Sequence, residues 1–111
     1  MQVTVKDTLT ILSDERDDIL KFASYLECVV PEKYETHNLV IDILKYETLT
    51  LEQLVAFIKL SNYQRAGKTS FVIVNTGIDY DLVPDEMIVV PTILEAEDVI
   101  AMEDIERDLG F

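Results

Sequence analysis

The sequence predicts an α/β fold: a small sandwich in which a mostly parallel sheet of four or five strands is covered by amphipathic helices. Three observations carry this. Residues 38–44 and 69–75 are short, nearly continuous apolar runs rich in β-branched side chains, as in strands buried on both faces of a sheet. Segments with apolar residues at helical spacing alternate with these runs, the pattern of strand–helix–strand units that lay strands side by side in parallel. The chain of 111 residues, at roughly 100 to 200 residues per domain, forms one domain over residues 1–111, and its 49% hydrophobic content is enough for one core.

Taken in order, Val3 and Val5 alternate with polar residues, and Leu9 and Ile11 do so again after Lys6 and Asp7, giving two short strands or one bent strand. Ser13 can cap a helix whose first turns hold Asp14, Glu15, Asp17 and Asp18 at the positive dipole end. Ile19, Phe22, Ala23, Leu26 and Val30 form its buried stripe, and Pro31 ends it. After the strand at 38–44, Thr50 and Gln53 have capping-box spacing. Leu51, Leu54, Val55 and Ile58 then repeat at helical spacing up to Gly67, which suits the position past a helix end. The strand at 69–75 leads into an irregular acidic stretch, 77–86, and a short strand, 87–90, closed by Pro91. Thr92 and Glu95 form a second capping box opening the last helix, on which Val99, Met102, Ile105 and Leu109 share one face before Gly110.

The formal net charge is −13 and the pI about 4.2, which excludes free nucleic acid and anionic lipid as direct ligands. The surplus is local: residues 79–111 hold eleven acids against the single base Arg107, whereas the first 78 residues hold eleven acids and eight bases. One cysteine, Cys28, cannot form an internal disulfide, and the N-terminus has neither a basic nor an apolar signal region, so a cytoplasmic protein is expected. No apolar run approaches the ~20 residues of a membrane span.

The order of elements resembles the STAS domain of anti-sigma-factor antagonists, with residues 39–42 leading through a capped helix to the run at 71–75 and then to Thr92–Ala96. The resemblance covers roughly residues 1 to 105. It implies a non-enzymatic protein-binding module, switched in many members by phosphorylation of a serine in an Asp-Ser-Ser-Gly motif that opens the helix after the Asp-bearing strand. Counting without gaps from Asp42, the four motif positions fall on Thr50, Leu51, Glu52 and Gln53, so neither serine is present. Glu52 stands where the phosphorylated serine would be, and a fixed carboxylate carries part of a phosphoserine's charge of roughly −1.5 to −2. A second departure is residues 77–86, where the family commonly has another helix.

The chain is also similar to short bacterial proteins that end much like residues 102–111, some described as ribonuclease Z. That nuclease needs two zinc ions held by several histidines, and His37 is the only imidazole here. The similarity therefore implies, as the alternative function, an accessory protein of an RNA-processing nuclease with no metal site of its own.

Little else in the sequence points to chemistry. His37 lies between a helix and a strand and reads as a surface loop residue. Cys28 has the acidic Glu27 beside it and reads as an inert thiol. Phosphate-cradling glycine motifs are absent. Asp79, Asp81, Asp85 and Glu86 offer oxygen ligands of the kind hard cations take, but without the spacing of an EF-hand, and solvated loop carboxylates are the simpler reading. No catalytic residue, cofactor or metal ligand is expected.

The last helix carries the most informative tension. Glu103, Asp104, Glu106 and Asp108 sit near its negative end, each costing roughly 0.3 to 1 kcal/mol at low salt. A basic partner surface would relieve that repulsion and be steered toward it. The expected function is therefore protein binding to a basic surface, through Thr50, Leu51 and Glu52 at one helix start and through Glu103, Asp104, Glu106, Asp108 and the apolar anchor Phe111 at the C-terminus.

Overall fold

A computed structural model describes residues 1–110; Phe111, expected to be an apolar anchor, lies outside the described residues. Five strands form one sheet in sequence order: β1 (Gln2–Val5), β2 (Thr10–Ser13), β3 (Leu39–Asp42), β4 (Phe71–Val74) and β5 (Ile88–Val90). The helices are α1 (Ile19–Lys33), α2 (Leu51–Val55), α3 (Ile58–Ala66) and α4 (Ile93–Asp108), with a 3-10 turn at Tyr80–Leu82.

The α/β class stands, but the sheet is mixed rather than mostly parallel. β1 pairs antiparallel with β2, while β2–β3, β3–β4 and β4–β5 pair in parallel. The cause is the connection. Between β1 and β2 only a tight turn intervenes, closed by the Lys6 amide donating to the Leu9 carbonyl at 2.8 Å, and so short a link can join only antiparallel strands.

The alternation within β3 and β4 builds two layers. Leu39, Ile41, Phe71 and Ile73 point to the face covered by α1, α2 and α3, where they meet Phe22, Leu26, Phe57 and Leu60. Val40, Val72 and Val74 point the other way, toward Ala96 and Ile100 of α4. α4 alone packs on that face, against β3, β4 and β5.

Four local expectations change. α1 is capped by Asp18, whose carboxylate accepts from the Lys21 amide at 3.1 Å, not by Ser13, which belongs to β2. Asp14, Glu15 and Asp17 therefore precede the helix. Pro31 lies inside α1, which continues to Lys33; so near the end, a proline removes one helical bond without displacing the preceding turns. The helix expected from Leu51 to Gly67 is two, broken at Ala56–Phe57, and Phe57 is fully buried with its ring edge-on to Phe22 at 6.3 Å. Gly67 does stand just past the end of α3, as expected, with an ordinary φ of −81°, and the following Lys68, at φ 67°, takes the left-handed conformation. On α4 the buried residues are Ala96 and Ile100; of the four expected to share one face, Val99 packs beside them on the sheet, while Met102, Ile105 and Leu109 face outward.

Candidate partner-binding surface

At the carboxyl ends of the parallel strands, Asn75 organises two loops. Its amide Nδ2 donates to the Ile43 and Tyr46 carbonyls at 2.9 Å each, and its Oδ1 accepts from the Gly77 amide at 2.7 Å and the Ile78 amide at 3.1 Å. The loops pass so closely that a Cβ on Gly77 would lie 2.2 Å from the Glu47 carbonyl oxygen. This fixes the approach to α2. There the capping box is complete: the Gln53 amide donates to Thr50 Oγ1 at 3.2 Å and the Thr50 amide to Gln53 Oε1 at 3.0 Å. Thr50 thus has a structural duty, while Leu51 and Glu52 lie exposed in the first turn.

Tyr46, in the same loop, hydrogen-bonds Asp14. Burial, and then the Asp14 hydrogen bond and charge, holds its phenol well above the usual value, with Asp17 and Asp18 adding to the effect. Tyr80 donates to the Asn75 carbonyl at 2.6 Å, and its phenol is raised by burial and by Glu95.

The four acids at the end of α4 divide into two kinds. Glu103 pairs with Arg65 of α3 at 3.0 Å, and Arg65 also donates to the Phe71 carbonyl at 3.1 Å. Asp104 pairs with Arg107, which reaches Ser70 Oγ at 3.0 Å, and Asp104 also accepts from Asn38 Nδ2 at 3.2 Å. Asn38 in turn donates to the Thr8 carbonyl at 2.9 Å and accepts from the Ser70 amide at 2.9 Å, which ties the β1–β2 turn, β3 and β4 to this end of α4. For Glu103 and Asp104, then, internal pairing offsets the unfavourable dipole. Glu106 and Asp108 are exposed and make no ion pair among the described residues.

The outward face of α4 is also apolar. Leu94, Met102, Ile105 and Leu109 are 67%, 64%, 58% and 66% exposed, with exposed Ala101 between them. Glu95, Asp98, Glu106 and Asp108 stand among and beside them. Sequence reasoning gave α4 one apolar face; it has two, a narrow one on the sheet and a larger one toward solvent.

No protein-family model matches the chain, and no curated protein matches it. The remaining chemistry-bearing residues have local roles. His37 Nδ1 lies 2.7 Å from Thr10 Oγ1 and the ring packs edge-on against Tyr34 at 5.5 Å, so it is half-buried rather than a free loop residue. Cys28 is exposed on α1. In the acidic loop Asp79 accepts from the Asp81 amide at 3.0 Å and Glu86 from Asn62 Nδ2 at 3.2 Å, which turns two of the carboxylates to different neighbours. Among the described residues no group of three or more His, Cys, Asp or Glu could hold a metal ion, and no helix is long and apolar enough to cross a membrane.

Sequence reasoning missed Arg65, Arg107, Asn38 and Ser70. Arg107 carried a signal: the only base in the last 33 residues stands three positions after Asp104, a spacing at which helical side chains meet.

Proposed function

We propose that this chain is a non-catalytic, STAS-like protein-interaction module that binds a basic surface of a partner protein in the cytoplasm. The outward face of α4 is the principal contact, and the start of α2, with Leu51 and Glu52, is the second. One observation carries the proposal above the others: Glu106 and Asp108 are exposed and unpaired by any base among the described residues, next to exposed Met102, Ile105 and Leu109. A solvated helix end has no use for apolar side chains there, whereas an interface has use for both, apolar area for affinity and charge for steering. The STAS likeness is supported by the element order, in which capped α2 follows the strand ending on Asp42. An exposed lone thiol at Cys28 fits a reducing compartment.

The test is affinity capture from cells with the full chain and with a Glu106→Lys/Asp108→Lys variant, which reverses the outward charge and leaves both arginine pairs in place. A partner recovered by the first and lost by the second is expected. Equal recovery of the same proteins would remove α4 from the mechanism, and a nuclease as the recovered protein would turn the role into that of an accessory subunit.

A further inference from the structure

Building on α4 as the docking surface, we infer that its occupant is a single amphipathic helix of the partner, apolar on one side and flanked by Lys or Arg, lying along the length of α4. The exposed residues are spaced as the seam of a helix pair. Ile105 stands four positions from both Ala101 and Leu109, and three from Met102, while Leu94 lies one heptad before Ala101. From Leu94 to Leu109 the stripe runs roughly 22 Å at ~1.5 Å per residue, the length of a four-turn helix. An extended segment would match it poorly, because α4 is not a sheet edge and offers side chains but no free row of backbone groups.

Charge selects the partner's chemistry. Every exposed charge on this face of α4 is acidic, with Asp98 standing within the apolar seam and Glu95, Glu106 and Asp108 around it. The bases that reach α4 are already committed, Lys6 to Glu97 at 2.7 Å, Arg65 to Glu103 at 3.0 Å and Arg107 to Asp104. A second copy of the chain is disfavoured, since two such faces would set acid against acid around the same seam. A helix with basic flanks meets the acids with opposite charges and covers the leucine, methionine and isoleucine with its own apolar side.

The experiment uses the full chain and two labelled peptides of about 16 residues, the span of α4, identical in Leu and Lys composition. One has leucine at helical spacing, and the other is scrambled so that no apolar face forms. Binding is followed by fluorescence anisotropy and peptide helicity by circular dichroism. The amphipathic peptide is expected to bind at least about tenfold more tightly than the scrambled one and to gain helicity on binding. A Met102→Ser/Ile105→Ser variant is expected to lose about tenfold in affinity for it, with its melting unchanged because both side chains face solvent.

Equal binding of the two peptides would reduce the effect to unspecific ionic attraction and overturn the inference, as would unchanged binding by the serine variant or no binding by the amphipathic peptide. Sedimentation showing dimers of the wild type that the serine variant lacks would assign the seam to a second copy instead. The two levels fail separately. If charge reversal at Glu106 and Asp108 abolishes partner capture while the serine variant captures normally, α4 remains the docking surface but the helical seam is wrong. If capture survives charge reversal, the docking surface itself is wrong.

Discussion

Lys68 holds a backbone conformation that side chains rarely adopt. It is exposed, with φ 67° directly after Gly67, and the left-handed region costs a non-glycine residue roughly 1 to 2 kcal/mol. Lys68→Gly is therefore expected to stabilise the fold, by about 1 kcal/mol after the flexibility that glycine adds to the unfolded chain, as read by urea denaturation. Tyr46 makes a second residue-level case. Its phenol titrates higher in the folded chain than in the unfolded one, so the fold favours the neutral form. The stability this contributes is present below the unfolded phenol value of about 10 and is lost as pH rises above it, where the unfolded chain binds fewer protons than the folded one. The stability difference between wild type and Tyr46→Phe is expected to shrink as pH climbs past that value, and Tyr80, shared by both proteins, cancels. A difference that stays constant through the alkaline range would show that Tyr46 titrates normally.

Within α4, acids of one type at one end of one helix are expected to respond in opposite directions. Removing Arg107 strips Asp104 of its ion pair and Ser70 Oγ of a donor, in a half-buried setting where such losses cost about 1 to 3 kcal/mol. Arg107→Ala and Asp104→Ala are both expected to lower the melting temperature. Glu106→Ala and Asp108→Ala remove exposed carboxylates from the negative end of the dipole, and each is expected to leave stability unchanged or raise it by up to about 1 kcal/mol at low salt, less as salt is added. Thermal denaturation of the four variants at two salt concentrations checks the division. The sequence shows all four carboxylates equally, because the distinction is made by Arg65, Asn38 and Ser70, which lie far along the chain and come together only once α4 has folded back over β3 and β4.

Across the whole molecule, what was legible follows from range. Buried strands at β3 and β4, both threonine caps and the acidic C-terminal third depend on neighbours a few residues away, and each stands where the pattern put it, although at Thr92 the box is only half made, the Glu95 carboxylate accepting from the Thr92 hydroxyl instead of its amide. Phe57, at the break between α2 and α3, packs against the distant Phe22, and the cap falls on Asp18 after the chain has left β2, so neither shows in local spacing. The outward apolar face of α4 was visible as a stripe but not as outward, since a helix with two apolar faces gives no sign of which one meets the sheet. The same ambiguity gives α4 its interest, for residues 79–111 hold eleven acids against one base, and Glu95, Asp98, Glu106 and Asp108 among them stand beside exposed apolar residues, a combination the proposed basic partner would cover.

Amide hydrogen exchange on the full chain, with and without a captured basic partner, tests that claim most directly. Added protection centred on residues 98–109 of α4, with a smaller effect at the start of α2, is the expected result; protection confined to α1 or the β1 edge, with α4 exchanging as in the free protein, would contradict it.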